Sequence, residues 1–319
     1  MRDEPLVSIA LCTYNGEKYI RQQLDSILDQ TYRNLEVVIV DDCSTDDTFN
    51  IVSNYAGRDS RIKCFKNEIN LGFNQNFEWA ITLTTGAYIA ISDQDDIWLP
   101  QKIERLLNAI ADNWLVFSNS VFINNNNELL DGKMLHNYSI AINKYMQSYK
   151  GILLANFVTG HTTLFKKEFV DYFLPFPEKG FYDWWMGFIA LYHHKIVFLD
   201  EILTQYRIHE TSVMQNRLNS GKENQEAIMS IDYMLSSFAS YNNLKNEDRE
   251  FVTNLKEAYK SKLYKNISFP LIKIILKNYS DVFAHQKSRA GFSLLNFVLK
   301  YVRKVKQYSP GLSSQSSVH

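Results

Sequence analysis

Short apolar runs that each end in polar residues, alternating with amphipathic stretches, constrain this 319-residue chain more than any other feature. Residues 6–11 form the first run, and the turn Thr13-Tyr14-Asn15-Gly16 follows it. From Glu17 to about Asp29, Ile20, Leu24, Ile27 and Leu28 recur at helical spacing. Residues 35–40 form the second run, which ends in Asp41-Asp42-Cys43-Ser44, with Thr45 or Asp46 placed to cap the next helix. A third run at 62–65, a third helix over 74–84 and a fourth run at 88–91 complete the series. Strands alternating with helices predict an α/β fold: a parallel sheet with helices on both faces.

In open sheets of this kind ligands collect beyond the carboxyl ends of the strands. Three of the four strands place polar groups there. Thr13, Tyr14 and Asn15 follow the first, Asp41 and Asp42 the second, and Ser92-Asp93-Gln94-Asp95-Asp96 the fourth. Clustered carboxylates repel one another, so the last motif is costly unless a cation sits among them. Hard oxygen ligands suit Mg²⁺ or Mn²⁺, which often carry phosphates in their remaining positions. Taken alone, the motif also reads as a solvated acidic turn leading into a helix near Pro100. Three polar strand ends converging on one edge read as a site.

Beyond this point the pattern predicts a helix over 101–111, a strand over 116–123 and a hairpin or loop tip at Asn124 to Asn127. A strand at 162–165, a helix over 183–193 and two short strands at 196–199 and 202–206 follow. From about Gly221 the pattern is helical, with Pro270 as its internal breaker. The expected organisation is an α/β domain over 1–215, a helical region over 216–308 and a disordered tail over 309–319.

Net charge is −1, yet it is unevenly spread. Residues 256–306 hold twelve Lys or Arg against Glu257 and Asp281, a local balance of +10. An acidic body with a basic tail argues against nucleic acid as the partner. Cys12, Cys43 and Cys64 lack CxxC spacing and read as reduced, buried thiols. With no leader visible and no run reaching ~18 apolar residues, the expected location is the cytoplasm or the inner face of the cell membrane.

The motifs resemble those of glycosyltransferase family 2, inverting nucleotide-sugar transferases with the GT-A fold. The carriers are the stretch Val7 to Gly16, then Val38-Ile39-Val40-Asp41-Asp42-Cys43-Ser44-Thr45-Asp46, Asn70-Leu71-Gly72-Phe73, and Gly86 onward into Asp93-Gln94-Asp95-Asp96-Ile97-Trp98. Tyr182-Asp183-Trp184-Trp185 and Tyr206-Arg207-Ile208-His209 close the series. The Asp-Gln-Asp-Asp-Ile-Trp and Asp-Trp-Trp forms look most like the rhamnosyltransferase-type branch that builds bacterial surface polysaccharides. The resemblance covers roughly residues 6–212.

That resemblance implies roles. Tyr14 would stack on the base, Asp42 would accept its N3–H, and Thr13, Asn15 and Asp93 would complete the nucleotide contact. Asp95, helped by His209, would hold Mn²⁺ or Mg²⁺, with Asp93 as second ligand or ribose contact. Asp96 would cap the next helix or steady Asp95. Asp183 would be the general base for an acceptor hydroxyl. Trp184 and Trp185 would offer sugar-stacking faces, and Gly160 and His161 would lie near the acceptor pocket. The implied partners are a dTDP-rhamnose- or UDP-hexose-type donor and a saccharide or lipid-linked acceptor.

In the tail, Phe292, Leu294, Leu295, Val298, Tyr301, Val302 and Val305 recur at helical spacing among basic residues. A stripe of this kind over 286–306 either lies on an anionic membrane or packs on the catalytic domain or a second subunit of a homo-oligomer. Two rivals fail on the residues: a Rossmann oxidoreductase lacks its GxGxxG turn, and a small phospho-acceptor domain leaves Asp183 and His209 without purpose. A non-catalytic nucleotide- or sugar-binding protein with the same fold is the remaining alternative.

Overall fold

β1 (Val7–Thr13) and β2 (Leu35–Asp41) consist almost entirely of buried residues, as central parallel strands covered on both faces require. They pair from Val7 opposite Leu35 to Thr13 opposite Asp41, so both end at one edge. β3 (Ile62–Lys66) continues the parallel sheet beside β2, and β4 (Tyr88–Ser92) lies parallel to β1 on its other side. These features come from a computed structural model that describes residues 4–135, 142–209, 225–283 and 289–303.

α1 (Ile20–Leu28), α2 (Thr48–Ala56) and α3 (Phe73–Thr82) make the crossovers. The stripe on α1 buries Ile20, Leu24 and Ile27 as predicted, while Leu28 stays at the margin of the core. α2 starts later than expected: Asp47 holds the cap position, and the Asp46 carboxylate instead accepts the Thr48 N–H at 3.0 Å.

The second half departs from the parallel pattern. β5 (Ile97–Trp98) is two residues long, and α4 (Lys102–Ile110) begins only after it. Asp96 therefore precedes a strand and cannot cap a helix. β6 (Leu115–Ile123) and β7 (Leu129–Lys133) form the predicted hairpin, with Asn127 in the left-handed region at φ 65°. α5 (Ile142–Tyr145), β8 (Thr163–Lys166), α6 (Val170–Phe173), α7 (Tyr182–Tyr192) and β9 (Ile196–Arg207) follow. The sheet order is β3-β2-β1-β4-β8-β6-β9-β5, with β7 on β6; β8 runs antiparallel to both its neighbours.

β9 replaces the two short strands expected at 196–206. Its register against β6 steps from Leu199 opposite Ser118 to Ile202 opposite Asn119. Asp200 and Glu201 bulge out between, which is why the sequence pattern reads as interrupted.

The chain divides into two compact units, Met1–Gln215 with Tyr279–Ser288, and Asn216–Asn278 with Arg289–His319. The C-terminal helices are α8 (Gln225–Ser240), α9 (Asn246–Lys260), α10 (Phe269–Val282) and α11 (Gly291–Tyr301). Pro270 does not break this region, because it falls in the first turn of α10, where its missing N–H costs nothing. The irregular residue is Asn278, at φ −124° and ψ 23°. On α11 the apolar stripe is divided: Val298 and Val302 are buried, whereas Phe292 is 84% exposed. Tyr301 lies under the Lys262 ammonium, 4.4 Å from its ring centroid, so this side of α11 packs within its own unit. Lys287, Lys304, Val305, Lys306 and the 309–319 tail fall outside the described residues. Among the described residues no helix is long and apolar enough to cross a membrane. Cys12, Cys43 and Cys64 are free thiols.

Candidate active site

Because β1, β2 and β4 end together, their polar termini meet at one edge. Asp41 is fully buried there as a lock, not as a contact surface. Its carboxylate accepts from the Thr13 hydroxyl at 2.9 Å, the Ser44 hydroxyl at 2.5 Å and the Ser44 N–H at 2.9 Å. Thr13 is thus buried and committed to Asp41. Asp42 is also buried, and its carboxylate accepts from Asn67 Nδ2 (2.7 Å), Leu71 N–H (2.7 Å) and Gly72 N–H (2.9 Å). Those three donors tie the segment entering α3 to the end of β2. Sequence reasoning missed this duty, since the donors lie about 25 to 30 residues away. Asn15, at φ 47°, takes the Thr45 N–H on its side-chain oxygen and gives its own N–H to Ser44. Tyr14 is different: its ring is 47% exposed and faces outward from this braced turn.

The acidic turn after β4 separates into two layers. Asp95 and His209 form the outer layer, with Nε2 of His209 2.7 Å from Oδ2 of Asp95 and side-chain exposures of 19% for Asp95 and 16% for His209. The imidazole rests on the Tyr19 ring, with centroids 5.5 Å apart. Arg207, buried beside it, spans the layer beneath. Its guanidinium donates to Asp95 O (2.8 Å), Asn124 O (2.8 Å) and Gln22 Oε1 (3.0 Å), and its backbone N–H reaches Asp96 Oδ1 at 3.2 Å. Arg207 and Tyr19 were not foreseen as site residues. The signal for Arg207 was available, since it lies within the Tyr206-Arg207-Ile208-His209 motif already singled out.

Asp93, Asp96, His161 and Lys102 make the inner layer. One ligand atom each from Asp93, Asp96 and His161 lies within 4.8 Å of the others. Burial, then the charges of Asp95 and Asp183, push the Asp93 carboxyl up to about 7, while Lys102 pulls it down. Burial likewise raises Asp96, whose Oδ2 has no hydrogen-bond partner, and lowers Lys102. Lys102 Nζ donates to the His161 carbonyl at 2.5 Å and sits 3.6 Å above the Trp98 ring. His161 is held near 3 by burial and then by Lys102. It stacks on Tyr206 and meets Ser120 Oγ at 3.1 Å, so it is packed in the interior and offers no surface to an acceptor.

Two donor sets are therefore available to a divalent ion. The inner one also holds Lys102, whose charged form is disfavoured by burial. The outer one joins a carboxylate oxygen and an imidazole nitrogen at partial exposure, a mixed set that suits Mn²⁺ or Mg²⁺ with room for phosphate oxygens. Asp95 and His209 are one candidate set for the ion, and Asp93, Asp96 and His161 are a second.

Asp183 enters from the first turn of α7. Its Oδ1 accepts the Trp184 N–H at 2.6 Å and Asn156 Nδ2 at 3.1 Å, and its Oδ2 accepts the Gly160 N–H at 3.3 Å. Gly160 is required by close approach, because a Cβ there would fall 2.1 Å from the Tyr182 hydroxyl. Its part is to present an N–H to Asp183. The expectation for the two tryptophans is corrected: Trp184 and Trp185 are 5% and 7% exposed, with their indole N–H groups given to Ile152 O (2.6 Å) and Phe173 O (2.8 Å). Both are core residues, and neither presents a face to a sugar.

Residues 8–173 match the profile of glycosyl transferase family 2, and the chain belongs to that family. It is 32% identical over 222 residues to the Escherichia coli UDP-Glc:alpha-D-GlcNAc-diphosphoundecaprenol beta-1,3-glucosyltransferase WfgD, covering 69% of this chain and 84% of the relative. Among solved structures it is similar to S. aureus TarS in complex with UDP-GlcNAc, with TM-score 0.58, 17% identity, and coverage of 85% of this chain and 80% of that one. It also resembles the mannosyltransferase PcManGT from Pyrobaculum calidifontis in complex with GDP-Man and Mn²⁺, with TM-score 0.56, 17% identity, and coverage of 93% and 80%. The fold is that of the GT-A glycosyltransferases.

Proposed function

We propose that this protein transfers a hexose, with inversion, from a UDP-sugar to a hydroxyl of a lipid-linked saccharide in bacterial surface polysaccharide synthesis. Membership of the family and the likeness to WfgD support the reaction class and favour a UDP-hexose over dTDP-rhamnose. The observation that carries the reading is geometric. Asp183, on α7, accepts the Gly160 N–H at 3.3 Å, and the adjacent His161 lies within 4.8 Å of Asp93 and Asp96 at the end of β4, which supports placing the candidate base near that strand edge.

In this reading Tyr14 offers its exposed ring to the uracil. Asp42 adds a contact to the base N3–H from the carboxylate that anchors Leu71 and Gly72. Asp93 faces the ribose or the ion. Asp95 and His209 hold Mn²⁺ or Mg²⁺, which when bound offsets the negative charge of the diphosphate. Asp183, oriented by the N–H groups of Gly160 and Trp184, takes the proton of the acceptor hydroxyl. The hydroxyl oxygen bonds to the anomeric carbon as the bond from that carbon to the diphosphate oxygen breaks. The electron pair leaves on UDP, and a single displacement inverts the centre. The exposed Phe292 and Leu295, beside Lys300 and Arg303, favour contact with the anionic membrane carrying such an acceptor.

Incubating the purified chain and Mn²⁺ with UDP-, dTDP- and GDP-sugars, and following release of the nucleoside diphosphate, tests the reading. UDP release from a UDP-hexose, lost in Asp183→Asn, is the expected result. Binding of a nucleotide sugar with no turnover on any lipid-linked saccharide offered would favour a non-catalytic binding protein.

A further inference from the structure

Gln94 stands between the two aspartates that face the site, yet its own side chain turns to the β1 loop. Its Oε1 accepts the Tyr14 N–H at 2.9 Å, and its Nε2 donates to the Tyr14 carbonyl at 3.1 Å. One amide thus meets both backbone groups of one residue, as a neighbouring strand would. The seat is fitted by Gly16, where a Cβ would fall 2.1 Å from Gln94 Oε1. From the other side the same loop is fastened to the segment from β2 into α2, through Asn15 N–H to Ser44 Oγ (2.9 Å) and Gly16 N–H to Thr48 Oγ1 (2.8 Å). The loop bearing the exposed Tyr14 ring is therefore a bridge, with one footing on the segment that leads from β2 into α2 and the other on Gln94.

We propose that Gln94 is a positioning residue that couples the two halves of the donor site. An ion held at Asp95 and His209 fixes the 93–96 turn, and the Gln94 amide passes that order to Tyr14 before any nucleotide arrives. The inference rests on the donor-site reading above and adds to it a route by which the ion prepares the base-contacting loop. Adjacent Asp95 and Gln94 point to different partners, so one short turn serves both. A brace of purely structural kind would protect Tyr14 equally with and without the ion.

The test uses the full chain and Mn²⁺ alone. Binding is followed by the loss of free-Mn²⁺ paramagnetic resonance signal, and hydrogen exchange is read on the peptide containing the Tyr14 amide. In the wild type, saturating Mn²⁺ slows exchange at that amide by about fivefold or more, the lower end of ordinary coupling between sites. In Gln94→Ala, Mn²⁺ still binds but the slowing disappears. Gly16→Ala, which leaves Gln94 in the chain and denies it its seat, loses the slowing too and serves if Gln94→Ala folds poorly. Equal slowing in the wild type and in either folded variant, or Mn²⁺ bound to the wild type with no change at Tyr14, would overturn the coupling while leaving the donor site standing. A wild type that binds no Mn²⁺ would overturn both.

Discussion

His209 Nε2 and Asp95 Oδ2 meet at 2.7 Å across 114 residues of chain. The contact closes the sheet's functional edge, since it brings the residue just past β9 against the turn between β4 and β5. Arg207 makes the contact reproducible by binding the Asp95 carbonyl and the Asn124 carbonyl of the β6–β7 hairpin together.

If that pair holds the cation, each partner is needed. Asp95→Asn keeps the shape and removes the charge, and His209→Ala removes the nitrogen. Both are expected to weaken Mn²⁺ binding by at least about tenfold, measured by titration calorimetry, with the fold unchanged by circular dichroism.

Asp183→Asn separates binding from turnover. The amide oxygen still accepts from Trp184 and Asn156, but the group cannot take a proton, so kcat falls by roughly 10²- to 10⁴-fold while UDP affinity stays within about twofold of wild type. A parallel fall in UDP affinity would show that Asp183 serves the donor.

The two tryptophans give the opposite signature. Trp184→Phe deletes the indole N–H that satisfies Ile152 O, so stability drops by about 1–3 kcal/mol in urea unfolding while the donor KM is unaltered. A raised KM with unchanged stability would restore the sugar-stacking role.

Glu36 supplies a pH signature away from the site. Burial pushes its carboxyl up, but hydrogen bonds from Lys63, Ser8 and Thr85 outweigh this and bring it from 4.5 down to about 2. A folded-state pKa below the unfolded one adds stability that is present above pH 4.5 and is lost as pH falls through about 2. Chemical unfolding of wild type and Glu36→Gln at stepped pH should show an advantage for wild type at neutral pH that shrinks below pH 4.5. A pH-independent difference would contradict the assignment.

The first half of the fold was legible because its strands are short, apolar and local in their connections. β1, β2 and β4 carry their polar ends in the residues that immediately follow. The second half was less so. β8 inserts antiparallel between β4 and β6, and nothing in its four residues announces those partners. The same limit applies in the site. Asp95, His209 and Asp183 could be singled out by type and order, but the inward turn of Trp184, Trp185 and His161 depends on neighbours far along the chain. Lys102 is the sharpest case: at the start of an amphipathic helix it reads as a solvated cation, yet it is wholly buried beside the inner carboxylates.

Crystals soaked with Mn²⁺ and UDP, and read by anomalous scattering at the manganese edge, test the central claim most directly. The account predicts one peak in contact with both Asp95 and His209, with the diphosphate on it and uracil against Tyr14. A peak seated among Asp93, Asp96 and His161, or no peak at this edge of the sheet, would contradict it.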